Sequence, residues 1–232
     1  MLSLVLPKGS LERATIDLFD AADLTVRRSS DRDYHASIDD PRVDRVRFLR
    51  PQEIPSYIER GLFDLGITGR DWITETGADL VSLGELRYSM ATGDPVRVVL
   101  AVPESAPWQS VSDLPEGVRI STELPALTSR YLEEHRVKAM VVPSYGATEA
   151  KVPDIVDAIV DLTETGSSLR RNGLRILDTL LTSYTELVAN AYAYTDAGKR
   201  ASMAPRSSSA MSSMAARLSS SAYASAFATS SV

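Results

Sequence analysis

The densest run of chemically useful residues is Asp157-Ala-Ile-Val-Asp161-Leu-Thr163-Glu164-Thr165-Gly166-Ser167-Ser168-Leu169. A hydrophobic strand pattern ends in an acid, a loop rich in Thr, Gly and Ser follows, and a short helical turn over 168–172 comes next. Amides and hydroxyls gathered between a strand and a helix start make an anion site, and Gly166 permits close backbone approach. An acid at the strand end accepts hydrogen bonds from sugar hydroxyls or holds a hydrated Mg2+. Asp157 and Asp161 share a strand face but stand about 13 Å apart, at about 3.3 Å per residue, so they cannot grip the same atoms. Asp161 is the favoured ligand-binding acid and Asp157 the secondary one. The plainer alternative is an ordinary strand–turn–helix with Thr163 or Ser167 as N-cap, and composition alone favours it. The Gly-Lys-Ser/Thr ending of a Walker loop is missing.

Three further pieces hold candidate groups. In Leu6-Pro7-Lys8-Gly9-Ser10-Leu11, Lys8 supplies a mobile charge, and Gly9 and Ser10 supply amides at a positive helix end. Read alone, a capped helix with a solvated lysine is the better account. Arg50 ends a strand pattern, where it can clamp a phosphate. Downstream, Gly66 and Gly69 admit a ligand close to the backbone, with a tight turn as the alternative for Gly69, and Asp71 follows. Glu149, in Tyr145-Gly-Ala-Thr-Glu149, reads equally as a site carboxylate or a helix-start acid. Trp72 and Trp108 read as packing residues, and Arg170 and Arg171 as phosphate contacts or a solvated helix face. His135 reads as exposed, and His35 is open. No Ser-His-Asp or paired-carboxylate constellation is visible.

These groups need a scaffold. Strand patterns run over 2–6, 43–49, 63–68, 96–102, 118–121, 137–142, 156–160 and 185–189. Helical faces lie after Ser10, Pro51 and Pro125. That alternation reads as α/β. A change of texture at Gly93-Asp94-Pro95 and a return near 173–179 predict two lobes with a cleft between them: 1–95 plus 176–200, and 96–175. Residues 201–232 hold 12 Ser, 9 Ala and no acid. Despite the helical spacing of Met211, Met214 and Leu218, this composition reads as a low-complexity tail that cannot offset its ordering entropy.

Composition narrows the function classes. The 232 residues are 44% hydrophobic and 24% charged, as in a soluble globular chain long enough to bury its own core. With no Cys, thiolate zinc, iron–sulfur ligation and a cysteine nucleophile are excluded; with two His, so is a histidine-rich metal site within one chain. A net charge of −6 argues against a general nucleic-acid binder. The apolar run 2–6 is too short for an export signal, and no segment approaches the roughly 20 apolar residues of a membrane helix, so the cytoplasm is the expected compartment.

Taken in order, the motifs resemble the ATP phosphoribosyltransferase family: Pro-Lys-Gly-x-Leu at 7–11, Arg-x-x-Asp/Glu-Ile-Pro-x-Tyr at 50–57, Asp-Leu-Gly-Ile-Thr-Gly-x-Asp at 64–71, Gly-x-x-Glu at 146–149 and the phosphoribosyl-pyrophosphate signature at 157–174. The resemblance implies a two-lobed fold like type II periplasmic binding proteins, with the site in the cleft. It implies that ATP and phosphoribosyl pyrophosphate give phosphoribosyl-ATP and pyrophosphate with Mg2+, the first step of histidine biosynthesis. Asp157, Asp161, Thr163, Glu164, Thr165, Gly166, Ser167, Ser168, Leu169 and Glu149 would bind phosphoribosyl pyrophosphate. Lys8, Gly9, Ser10, Arg50 and Asp71 would bind ATP or pyrophosphate, and Asp161 is the candidate contact for Mg2+. No catalytic base is assigned. Many members carry Arg where this chain has Ser10. The long form continues past the Asn190 region into a histidine-binding domain, whereas the Ser/Ala stretch here lacks an apolar strand, so that domain is not expected. The short form works with a subunit resembling histidyl-tRNA synthetase, and the family forms dimers and hexamers. The competing readings are a solute-binding protein of the same fold and an inert regulatory subunit.

Overall fold

The computed structural model describes residues 1–86 and 95–203. The chain runs through β1 (Leu2–Pro7), α1 (Glu12–Asp20), β2 (Val26–Arg27), β3 (His35–Ile38), β4 (Val43–Leu49), α2 (Ile54–Glu59), β5 (Leu65–Gly69), α3 (Arg70–Thr76) and β6 (Leu80–Leu86). It continues with β7 (Val96–Pro103), β8 (Val118–Thr122), α4 (Pro125–Glu134), β9 (Ala139–Pro143), β10 (Ala158–Thr163), α5 (Ser167–Arg171) and β11 (Leu174–Ser183). It closes with β12 (Thr185–Asn190), α6 (Ala191–Thr195) and α7 (Ala197–Met203). The Ser/Ala stretch, apart from 201–203 in α7, lies outside the described residues, as do Gly93 and Asp94 of the expected first crossing.

Two compact units result, one of residues up to 86 and from 184, the other of residues 95–183. The sheet of the first unit has the order β2-β3-β4-β1-β5-β12-β6. Strand β1 is parallel to β4 and β5, while the returning β12 is antiparallel to β5 and β6. This insertion of a late strand between two early ones is the sheet order of the type II periplasmic-binding-protein-like class. Alternation along β1 explains its burial on both faces: Leu2, Leu4 and Leu6 pack with Leu18 of α1, while Val5 packs with Ile54 and Ile58 of α2.

The sheet of the second unit has the order β11-β7-β10-β8-β9. Strand β7 lies between β11 and β10, and Val98 to Val102 are fully buried, as expected of a strand covered on both faces. The stretch 176–183, which the sequence groups with the first lobe, is the body of β11 and pairs with β7. Its residues are mostly half-buried, so it lacks the continuous apolar run that marks an interior strand.

Candidate active site

In the second unit β8 and β10 run parallel, with Ile120, Ser121 and Thr122 beside Ala158, Ile159 and Val160. Period-two alternation puts Arg119, Ser121 and Glu123 on one face with Asp157, Ile159 and Asp161. Helix α5 and the 3-10 turn Thr148–Lys151 sit over this face, where Leu169 and Ile159 share a core with Val152 and Val156. Asp157 is tied down at one end of the row. It accepts from the Arg119 backbone N–H at 2.9 Å, from Nε at 3.1 Å and from Nη2 at 2.7 Å. The guanidinium holds its carboxyl below the usual range. Asp157 and Asp161 therefore do not converge.

Asp161 stands one position beyond the Val160–Thr122 pair, across from Glu123. Its Oδ1 accepts the Leu162 N–H at 2.7 Å. Burial, with the like charges of Glu149 and Glu123 working against that hydrogen bond, pushes its carboxyl up to about 6. Strand β10 runs two residues past this acid instead of ending at it. Thr163 Oγ1 accepts the Gly166 N–H at 2.8 Å, closing a turn in which Gly166 has φ 70. Thr165 Oγ1 accepts the Ser167 N–H at 3.3 Å and donates to Ser167 Oγ at 3.1 Å. Ser168 donates to Glu149 Oε1 at 2.6 Å, which lowers the Glu149 pKa and joins the two motifs. Leu169 is a core residue, so only its backbone faces the loop. Arg170 folds back onto the Thr165 carbonyl at 3.0 Å, supporting the loop from within the chain. Glu164 is half-buried, and the first amides of α5 have no intrahelical acceptor.

The first-unit candidates are differently arranged. Lys8 is not a mobile charge: its ammonium donates to Glu12 at 3.2 Å and to the Asp31 carbonyl. Glu12 also pairs with Arg28 at 2.7 Å. Burial raises the Glu12 pKa, but bonds from Arg28, Gly9 and Lys8 outweigh it and the net shift is downward. The Gly9 amide, offered by the sequence as a free donor, goes to Glu12 Oε2 at 3.2 Å. Leu11, not Ser10, occupies the N-cap position of α1, and Ser10 is exposed. Arg50 is exposed just past β4. Asp71 is buried in the first turn of α3. Its Oδ1 lies 2.0 Å from where a Cβ on Gly69 would stand, and a Cβ on Gly66 would meet Val5 and Ile58 at 2.6 Å. These two glycines make room for the protein's own side chains, not for a ligand.

A family model of ATP phosphoribosyltransferase matches residues 50–219. Over 200 residues the chain is 52% identical to the ATP phosphoribosyltransferase of Chlorobium chlorochromatii (strain CaD3), covering 86% of this chain and 67% of that one. The corresponding protein of Solibacter usitatus (strain Ellin6076) is 50% identical, with coverages of 86% and 68%. The chain belongs to the ATP phosphoribosyltransferase family. Membership makes it a transferase of the first step of histidine biosynthesis. Among solved structures, the ATP phosphoribosyl transferase (HisG:HisZ) complex from Thermotoga maritima matches with a TM-score of 0.77 at 28% identity, covering 92% of this chain and 98% of that one. XAC2383 from Xanthomonas citri matches with a TM-score of 0.55 at 14% identity over 92% and 87% of the two chains, a likeness of fold alone.

Reading the sequence did not single out Arg28, Arg119, Glu123 or Lys151. Arg119 and Glu123 gain meaning only from the β8–β10 register. Arg28, stacked 4.3 Å from the Phe48 ring centroid, gains it from the packing of the first unit. Among the described residues no group of three His, Asp or Glu is arranged to hold a metal ion, and no helix is long and apolar enough to cross a membrane. A divalent ion held by one carboxylate and by substrate phosphates needs no such cage, and Asp161, bonded only through Oδ1, fits that donor set.

Proposed function

We propose that this chain joins N1 of the ATP adenine to the anomeric carbon of phosphoribosyl pyrophosphate, releasing pyrophosphate. The observation that carries the reading is the stretch from Asp161 to Leu169. A half-buried acid with no salt-bridge partner among the described residues leads into a loop of amides and hydroxyls braced by Glu149 and Arg170. Adenine N1 is already a nucleophile and pyrophosphate a good leaving group, so positioning and charge stabilisation suffice. The loop amides with Ser167 and Ser168 bind the 5′-phosphate and Asp161 accepts from the ribose hydroxyls. The ionised acid also stabilises positive charge developing at the anomeric carbon. Asp161 would help to hold Mg2+, which would supply charge neutralisation for the leaving pyrophosphate. In the first unit Arg50, exposed just past β4, is the proposed contact for a phosphate of ATP or pyrophosphate.

The test is phosphoribosyl-ATP formation, followed by its absorbance, in the wild type and in Asp161→Ala and Thr165→Ala. Both variants should lose activity; full activity in both overturns the assignment of the loop. In-line displacement should invert the anomeric carbon, and a product of retained configuration contradicts it. The cytoplasm is the proposed compartment. A homo-oligomer and a subunit of the HisZ type, as in the Thermotoga maritima complex, are the proposed assembly partners.

A further inference from the structure

The 3-10 turn that carries Glu149 ends at Lys151, whose side chain has no role in the reading above. Lys151 is half-buried, and its ammonium donates to Ser144 Oγ at 2.5 Å and to Ser121 Oγ at 3.5 Å. Ser144 in turn shares a hydrogen bond of 2.8 Å with Thr148 Oγ1. Ser121, Ser144 and Thr148 are all buried. Hydroxyls satisfy donors but do not neutralise charge, and among the described residues no carboxylate lies in salt-bridge range of this ammonium. An ammonium offers three donors, and the described contacts use two. A half-desolvated cation held by neutral groups is stabilised strongly by an incoming anion, because little water must be displaced from it.

Its placement says which anion. Ser121 is on the same face of the sheet as Asp161, two residues before Glu123. Glu149, two residues before Lys151, accepts from Ser168 of the loop at 2.6 Å. The lysine thus belongs to the same face and the same turn as the proposed sugar-phosphate loop, whose own cations, Arg170 and Arg171, donate to the carbonyls of Thr165 and Ser167. We propose that Lys151 is a substrate-binding residue, donating to a phosphate oxygen of phosphoribosyl pyrophosphate, with Ser121 and Ser144 as positioning residues that fix its ammonium. The inference rests on the reading of the loop given above.

Calorimetric titration of the 232-residue chain with phosphoribosyl pyrophosphate and Mg2+ separates the two. If the wild type does not bind this ligand, the reading of the loop fails and Lys151 loses its substrate with it. If the wild type binds, Lys151→Gln should weaken binding about tenfold or more, as expected for loss of a charge-assisted hydrogen bond, and Lys151→Arg should restore part of it. Ser144→Ala should weaken it less. ATP titrations should change by less than twofold, and the melting temperatures of all three variants should stay near that of the wild type. Parallel titrations with ribose 5-phosphate and with inorganic pyrophosphate identify the phosphate, since the variant loses affinity only for the fragment that Lys151 touches. Wild-type affinity for phosphoribosyl pyrophosphate in a folded Lys151→Gln overturns the proposal and leaves the loop reading intact. Equal losses for phosphoribosyl pyrophosphate and ATP, or no recovery in Lys151→Arg, mark the lysine as structural and also overturn it.

Discussion

Asp64 in the first unit and Asp161 in the second are both acids on or beside interior strands, and their surroundings are opposite. Asp64 Oδ2 accepts from the Ser3 N–H at 2.8 Å and the Ser3 hydroxyl at 2.9 Å, and Oδ1 accepts from Lys199 at 2.7 Å. Burial raises its pKa, but those bonds outweigh it and the carboxyl is held low. Asp161 has one amide and two acidic neighbours, and its carboxyl is driven up. The first acid is fully used by the fold. The second is held at a cost to the fold, which is how sites that await a ligand differ from sites that hold a structure together.

Replacing Asp161 should test that contrast most severely. Asp161→Ala should lower kcat/KM by about a hundredfold or more, the scale of losing a charge-stabilising group, in a steady-state assay of phosphoribosyl-ATP formation. Wild-type turnover would erase the contrast. Asp161→Asn should be the more stable protein by about 1–3 kcal/mol at pH 7.5. The sign follows from a folded pKa raised to about 6 from 3.8. The folded wild type binds the extra proton between those values, so it loses stability as pH rises from 4 to 6 and does not regain it above. Thermal melts of the two proteins should therefore converge near pH 4 and separate by pH 7. Equal melting temperatures throughout would show that the carboxylate is not under strain.

On the structural side, Gly66→Ala should destabilise the first unit by about 1–3 kcal/mol, since the added carbon meets Val5 and Ile58 at 2.6 Å. A lowered urea midpoint at unchanged slope is the readout, and an unchanged midpoint would mean that neighbours yield freely. Asp157→Asn should be milder still, about 1 kcal/mol or less, because its pair with Arg119 is partly exposed. Its pKa is depressed, so what it contributes is present at neutral pH and lost as pH falls through that lowered value. Substrate affinity should hardly change in this variant. A large rise in the KM for phosphoribosyl pyrophosphate would return Asp157 to the binding residues.

Most of the scaffold was legible because interior strands announce themselves. Val96 to Val102, apolar but for Arg97, and Leu2 to Leu6, apolar but for Ser3, are runs too short for helices, and both are strands. Strand β6 was not read, since Leu-Val-Ser-Leu-Gly-Glu-Leu mixes faces and contains a glycine, and β11 was read as a crossing because it is half-exposed along its length. At the candidate site, Asp161 and the loop were visible as local motifs. Glu123 and Lys151 were not: their meaning depends on which strand lies beside which, and local periodicity does not encode pairing across 38 or 30 positions. Lys8 and Gly9 illustrate the converse. The motif was clear, but the fold gives their donors to Glu12.

The position of β12 has a consequence for synthesis. Residues 185–190 fill the gap between β5 and β6, yet leave the ribosome after the whole 95–183 unit. The continuous unit can therefore mature first, while β5 and β6 keep unpaired edges until translation passes Asn190. Nascent chains stalled short of that point should be sticky, and a chaperone that shields strand edges should matter more during elongation than after release.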